Sequence, residues 1–202
     1  GTDTCTVGIT RVRGLAAFGF RSASMQVVAC RGLVHLEDLT LGGSLLVTDS
    51  YVSMTRVSVD AARSSALGPG LGIVGSDAIA TQCTFLGAAT PFPFGSSAGI
   101  DCRSGSGLIL CECTVVGANA FASAGQSAAP AIEMNHGRLA LAGTSASRVA
   151  AGLPTATGTF GAPAIRVSSN AANRVVVDPG ANLVPSGGMA AIAGSAQLLP
   201  LA

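Results

Sequence analysis

Two carboxylates and two arginines that lie in or beside similar apolar triplets are the residues best suited to catalysis or metal binding. Asp101, Glu133 and Arg166 each occupy the middle of an apolar-x-apolar triplet, and Arg103 follows Asp101 by two residues. If the triplets stack as neighbouring strands, the two carboxylates lie about 5 Å apart, because that distance separates strands in a sheet. Such a pair could bind Ca²⁺ or act as acid and base in glycoside cleavage.

The same side chains also fit a solvated surface on which Arg103 and Arg166 neutralise the two acids. We expect this surface arrangement, with no catalytic residue, no cofactor and no metal. The catalytic alternative uses Asp101, Glu133, Arg103 and Arg166, and the Ca²⁺-binding alternative uses Asp101 and Glu133. His35 with Glu37, and Asp38 with Arg56, are interpreted as surface pairs of small energetic worth.

The spacing of the six cysteines leaves three disulfide candidates: Cys83 with Cys113, Cys5 with Cys30, and Cys102 with Cys111. The first pair occupies equivalent corner positions of two repeats, where the Cα separation suits a disulfide. The second pair lies about one repeat apart. The third falls on inward positions of one repeat, where the thiols either pair or stay buried. Disulfides would indicate an oxidising, extracellular location.

All of these residues lie within a repeated sequence pattern. Apolar-x-apolar triplets begin at positions 45, 71, 100, 132 and 165, and each is followed by a short polar turn. Residues 79–88 then align without gaps on residues 109–118, with further copies at 52–59 and 34–41. Apolar residues alternate within each block, which predicts strands, because successive side chains of a strand point to opposite faces.

Segments such as LEDLTLGG at 36–43 and QCTFLG at 82–87 resemble the rungs of right-handed parallel β-helices, the pectate-lyase-like solenoids of secreted bacterial proteins. The resemblance covers about residues 25–195. It implies an all-β, right-handed parallel β-helix, which we expect to have about seven rungs and long loops on one side. In the enzymes of this family an arginine serves as base beside metal-binding acids, which by resemblance makes Arg103 or Arg166 the base.

The whole chain is predicted to form one domain. Residues 1–24 are expected to form an N-terminal rung or cap, 25–195 the repeat rungs and 196–202 a C-terminal tail, in a piece of a longer protein. Only 10% of residues are charged and the net charge is +1, which argues against nucleic acid as a partner. The uncharged stretches are interrupted by Pro, Gly and polar residues, so no membrane span is expected.

Four weakly charged loops leave the same corner of the repeat, at residues 61–69, 88–98, 118–130 and 151–163. Solenoids often place function in loops of this kind. Their aromatic residues either pin the loops to the strands or contact another protein; these interaction candidates are Phe92, Phe94, Phe121 and Phe160.

These features predict a secreted, extracellular or cell-surface module with a structural or adhesive role. Its expected partners are proteins: further copies of itself or other cell-surface components. The alternative function is binding or cleavage of polysaccharide, as a lyase or hydrolase, on the face that carries Asp101, Glu133 and Arg166.

Overall fold

The computed structural model describes residues 6–63, 68–89, 96–120, 127–143, 148–155, 159–168, 173–195 and 197–200. Within these ranges the chain forms twenty-one β-strands, one 3₁₀ turn at Ala61–Arg63 and no α-helix. The all-β prediction is therefore confirmed. The strands form two long, curled sheets, in which each strand is hydrogen-bonded to its equivalents in the neighbouring repeats, on both sides except at the two ends of each stack.

The strands, numbered in chain order, fall into three stacks. The first contains β1 (Thr6–Thr10), β4 (Ser24–Val28), β7 (Leu45–Thr48), β10 (Leu71–Val74), β17 (Ile165–Val167) and β20 (Ile192–Gly194). The second contains β2 (Leu15–Phe18), β5 (Leu33–Glu37), β8 (Tyr51–Thr55), β11 (Asp77–Thr81), β18 (Arg174–Val177) and β21 (Gln197–Pro200). The third contains β3 (Arg21–Ser22), β6 (Thr40–Leu41), β9 (Ser58–Asp60), β12 (Thr84–Leu86), β14 (Thr114–Val116), β16 (Arg148–Ala150) and β19 (Asn182–Val184).

Two longer strands join the first stack to the second. They are β13 (Ile100–Cys111) and β15 (Ile132–Ala142), each of which runs through both stacks. Every pairing between named strands is parallel, and pairing extends from β1 to β21. Strand pairing therefore continues into the segments interpreted from sequence as an N-terminal rung or cap and a C-terminal tail.

The registers predicted from the triplets are confirmed. The inward column of the first stack is buried throughout and consists of Val47, Ile73, Cys102, Met134 and Val167. The gapless alignment of the second block is also confirmed, because Ile79 pairs with Ile109 and Thr84 with Thr114. Side chains from all three stacks meet in one apolar core, in which Phe85 is the bulkiest fully buried residue.

The predicted inward position of Cys111 is wrong. The inward column of the second stack is Met54, Ala80, Leu110 and Leu141. Cys111 pairs with Thr81 on the outward face and is half-buried. Leu108, Ile109 and Leu110 are all apolar, so the alternation that distinguishes the two faces of a strand is missing here. The structure buries Leu108 and Leu110 and exposes Ile109.

Residues in the left-handed conformation form corners in several of the described repeats. Non-glycine residues with positive φ include Ala29 and Asp49 at the corner between the first and second stacks. Asp38, Arg56, Gln82 and Glu112 have the same conformation at the corner between the second and third stacks. This conformation is costly for residues with a Cβ and persists only where surrounding structure fixes it. Each of these six residues donates its backbone N–H to the next repeat, as Asp49 does to Val74 O at 3.0 Å.

A buried serine ladder continues from the first of these corners. Ser50, Ser76 and Ser106 are at most 4% exposed. The Oγ of Ser50 accepts the backbone N–H of Cys30 at 3.0 Å, that of Ser76 accepts Ser50 N–H at 3.1 Å, and that of Ser106 accepts Ser76 N–H at 3.3 Å. Each hydroxyl therefore satisfies a buried donor in the preceding repeat, which would otherwise be costly.

Replacing Ser76 with alanine removes the acceptor of Ser50 N–H and leaves that buried donor unpaired. We expect the free energy of unfolding to fall by about 1–3 kcal/mol, measured by chemical denaturation. Ser58→Ala is the matched control: Ser58 is half-buried on a strand, and its loss is expected to change stability by less than about 0.5 kcal/mol. Equal effects of the two substitutions would contradict a structural role for the ladder.

Candidate functional site

The acidic residues of the first stack lie in one outward column, as predicted. Asp101 pairs in register with Gly72 on one side and Glu133 on the other, and Glu133 pairs with Arg166. Arg103 lies opposite Asn135 in the adjacent outward column. The structure thus brings together all four residues of the catalytic alternative.

Arginines contact both acids of this column. Arg103 donates from Nε to Asp101 Oδ2 at 2.9 Å, and Arg166 Nη1 lies 3.9 Å from Glu133 Oε1. The hydrogen bond to Asp101, followed by its charge, raises the pKa of Arg103. The Asp101 side chain is only 14% exposed, and its Oδ1 accepts no hydrogen bond from the described residues. The geometry matches the predicted surface on which arginines neutralise the acids.

The described residues contain no group of three or more His, Cys, Asp or Glu side chains that could hold a metal ion. The Ca²⁺ alternative therefore depends on Asp101 and Glu133 alone. Ca²⁺ usually takes six to eight oxygen ligands, so two carboxylates that already contact arginines provide only part of a site.

Both predicted surface pairs are present, one at the end of the second stack and one at the corner that follows it. His35 Nε2 lies 3.3 Å from Glu37 Oε2, and Arg56 Nε lies 2.7 Å from Asp38 Oδ1. The hydrogen bond from Arg56 holds the pKa of Asp38 below its usual value. Any stability from this exposed pair is therefore present at neutral pH and lost as the pH falls through the lowered pKa. Arg56 Nη2 also donates to Glu37 Oε1 at 2.5 Å, so the two predicted pairs form one network on the surface.

The described cysteines are all free thiols, so the structure does not support the predicted disulfides. Cys83 and Cys113 do occupy equivalent positions of neighbouring repeats, but they act as the serines do at the other corner. Cys113 Sγ accepts the N–H of Cys83 at 3.4 Å, and Cys83 Sγ accepts the N–H of Val57 at 3.4 Å. Each thiol also contacts the carbonyl oxygen two residues earlier, Thr81 O for Cys83 and Cys111 O for Cys113.

The other disulfide candidates are separated or lie partly outside the described residues. Cys102 is buried in the core, whereas Cys111 is on the outward face, so they cannot pair across the core. Burial, followed by the charge of Asp101, raises the pKa of Cys102 to about 12. Cys30 is a buried free thiol, and Cys5 lies outside the described residues. The cysteines therefore give no support to an oxidising compartment.

The loops on one side of the repeat stack on one another. We call residues 87–89, 96–99, 117–120, 127–131, 150–155 and 159–164 the loop layer. Backbone hydrogen bonds cross it from Ala118 to Ser97 at 3.1 Å and from Ala120 to Leu153 at 3.0 Å. Four alanines form its small apolar core: Ala120, Ala128, Ala151 and Ala162.

One of the four aromatic interaction candidates can be placed. Phe160 is 61% exposed on the loop layer, and its carbonyl oxygen accepts the N–H of Ala128 at 2.8 Å. Leu153, in the same layer, is 60% exposed. Phe92, Phe94 and Phe121 lie outside the described residues.

An apolar groove on the outward face of the second stack was not predicted. It has a volume of about 550 Å³. Its floor includes Ile79 and Ile109, which are 49% and 40% exposed, followed in register by Ala140 and Val176. Tyr51, 59% exposed, lies at one end of the groove. Exposed apolar patches of this kind often mark interaction sites.

The other end of the groove is cationic. Tyr51, Asp77, Gly107, Arg138 and Arg174 follow one another in register along its edge. Arg138 Nη2 reaches over Gly107 to Asp77 Oδ1 at 3.3 Å. A Cβ at Gly107 would lie 2.2 Å from that oxygen, so glycine leaves the space through which the ion pair passes. Arg174 makes no ion pair with the described residues.

A signal for this groove was present in the sequence. Leu108-Ile109-Leu110 and Val175-Val176-Val177 are unbroken apolar runs. Such runs are consistent with a strand that is apolar on both faces. Here the outward members, Ile109 and Val176, line the groove.

Comparisons with protein-family models, with curated proteins and with solved structures found no match for this chain. Among the described residues, no helix has the length and apolar character needed to cross a membrane. The function of the chain must therefore be inferred from its own surfaces.

Because the described cysteines are free thiols, we expect Cys30, Cys83, Cys102, Cys111 and Cys113 all to react with an alkylating agent in denatured, unreduced protein. Mass spectrometry of the alkylated peptides measures this directly. Alkylation of the same denatured protein after reduction is the control and is expected to add no label at these five positions. A Cys83–Cys113 peptide joined by a disulfide in the native, unreduced protein would contradict the ladder.

Proposed function

We propose that this chain is an extracellular structural or adhesive module, a right-handed parallel β-helix of about seven rungs that contacts protein partners through its loop layer. The seven strands of the third stack support the number of rungs. The resemblance of the rungs to secreted β-helices supports the extracellular location. Further copies of the chain or other cell-surface proteins are the proposed partners.

The observation that carries this proposal is an ordered loop layer that holds two large apolar side chains in solvent. Asn119 joins two of its loops, because its Oδ1 accepts the N–H of Leu153 at 2.8 Å and its carbonyl oxygen accepts the Ser96 hydroxyl at 2.7 Å. Leu153 and Phe160 are thus presented from a backbone that is already hydrogen-bonded. A surface fixed before binding loses less conformational entropy when a partner docks.

Buried contacts support the layer from beneath. Ser186 Oγ accepts the N–H of Ala162 at 3.0 Å and donates to the carbonyl oxygen of Gly152 at 2.5 Å, which ties the layer to a following segment of the chain. Ala162 is fully buried and Ala151 is 5% exposed. The alanine cluster therefore does not need Leu153 or Phe160 to fill it, which favours an intermolecular role for these two side chains.

The double variant Leu153→Ser, Phe160→Ser is expected to lose association while keeping its melting temperature, because both side chains are exposed. Sedimentation velocity over a range of protein concentrations and electron microscopy measure assembly of the chain. Val184→Ser with Met189→Ser is the matched control, since these residues are also exposed and apolar and lie outside the loop layer.

A photo-crosslinker placed at position 160 tests contact with other proteins in the native source. Cross-links to a cell-surface protein or to a second copy are the expected result. A monomer at every concentration, with no cross-link from position 160, would contradict the proposal.

The alternative function is binding or cleavage of polysaccharide on the face that carries Asp101, Glu133, Arg103 and Arg166. One observation favours this alternative: Asp101 and Glu133 lie side by side in one outward column, and Arg166 follows them in register.

Asp101→Asn tests the alternative. If the face is structural, we expect no release of sugar ends from polysaccharides by the unmodified protein and no rise of its melting temperature with Ca²⁺. Cleavage that Asp101→Asn abolishes would instead establish the enzyme. Asp60→Asn is the control, because Asp60 also pairs with an arginine, Arg63, but lies in the third stack.

A further inference from the structure

The groove of the second stack is long and narrow. From Leu33 through Tyr51 to Arg174 its edge crosses five strand spacings, or about 24 Å. Its width is two outward side chains of one strand, roughly 7 Å. Leu33 and Tyr51 are each 59% exposed and make one end mostly apolar, with Ser53 in its floor. Arg138 and Arg174 make the other end cationic.

The charges at the cationic end do not balance. Arg138 and Arg174 are paired in register on neighbouring strands. Asp77 is the acid that contacts this pair, and it binds Arg138. One positive charge is therefore left over at the end of an apolar channel. A guanidinium binds carboxylate groups well because its N–H groups match their oxygen atoms.

The size of the groove argues against a folded protein as its occupant. A stable protein interface buries about 800 Å² on each partner. A channel two side chains wide offers much less surface. Its volume of about 550 Å³ is instead typical of small-molecule sites, which are mostly apolar with a few polar groups.

The floor also argues against an extended peptide. The backbone N–H and C=O groups of the floor strands already form hydrogen bonds with the neighbouring strands of the sheet, so they cannot pair with a peptide backbone. A peptide would bring unpaired N–H and C=O groups against Ile79, Ile109 and Val176, which is costly. A hydrocarbon chain brings no polar groups to this surface.

We propose that the groove binds one long-chain carboxylate, with its hydrocarbon tail along Ile109, Ile79 and Tyr51 and its carboxylate at Arg174. The ligand class is a free, single-chain anionic amphiphile. The site is separate from the loop layer, so its proposal does not depend on the proposed structural or adhesive role.

Isothermal titration calorimetry with saturated carboxylates of eight to sixteen carbons, each below its micelle concentration, tests the proposal. Affinity is expected to rise with chain length, because each additional methylene buries more apolar surface. Hexadecanol, which has the same tail without the charge, is expected to bind at least about tenfold more weakly than hexadecanoate.

Two variants distinguish the contribution of Arg174, which binds the carboxylate, from that of the apolar floor, which binds the tail. Arg174→Gln is expected to weaken hexadecanoate about tenfold and to leave hexadecanol unchanged. Ile109→Ser is expected to weaken both ligands, because it removes part of the floor. Arg148→Gln is the matched control, since Arg148 is also exposed, makes no ion pair with the described residues, and lies in the third stack. Circular dichroism checks that every variant is folded.

Several results would overturn the proposal. These are no saturable binding of hexadecanoate, equal binding of hexadecanol and hexadecanoate, or equal effects of Arg174→Gln and Arg148→Gln. Binding to anionic phospholipid vesicles without binding of free hexadecanoate would assign the surface to a membrane. Dimer formation abolished by Ile109→Ser would assign it to a second copy of the chain.

Discussion

Hydrogen bonding between equivalent strands is the constraint on which the rest of this structure depends. Because each strand pairs in parallel with the same segment of the next repeat, a residue in one repeat lies beside its counterpart in the next. Side chains are therefore organised in columns. One column is apolar and buried from Val47 to Val167, another carries Asp101, Glu133 and Arg166, and a third lines the groove.

At the corners, side chains accept hydrogen bonds from buried backbone N–H groups. At several corners a left-handed residue turns the chain, and the buried N–H of the residue after it binds a side chain of the following repeat. Serine does this at one corner and cysteine at the other. A disulfide between Cys83 and Cys113 would remove both thiol protons, and with them the donors that contact the Thr81 and Cys111 carbonyls. Sulfur is thus used here as a hydrogen-bonding group within a ladder.

The sequence was informative wherever the two faces of a strand differ in polarity. Polar middle residues such as Asp101 and Glu133 were enough to predict their register and their shared column. The prediction failed at Leu108-Ile109-Leu110, because three apolar residues in succession do not reveal which of them is buried. Cys111 was therefore assigned to the wrong face and the groove was missed. The stacking of Cys83 and Cys113 at one corner was predicted, but the hydrogen bonds of the ladders were not, because left-handed residues such as Arg56 and Gln82 carry no recognisable turn signal.

The direction of the backbone hydrogen bonds between strands makes the resistance of the molecule to force depend on the direction of pulling. In every stack these bonds run along the direction of stacking, from one repeat to the next. Tension along that direction acts on the bonds lengthwise and separates one repeat at a time. Tension along the strands shears many bonds of a repeat together. A chain anchored through its strands would therefore resist pulling far better than one held at the two ends of the stack.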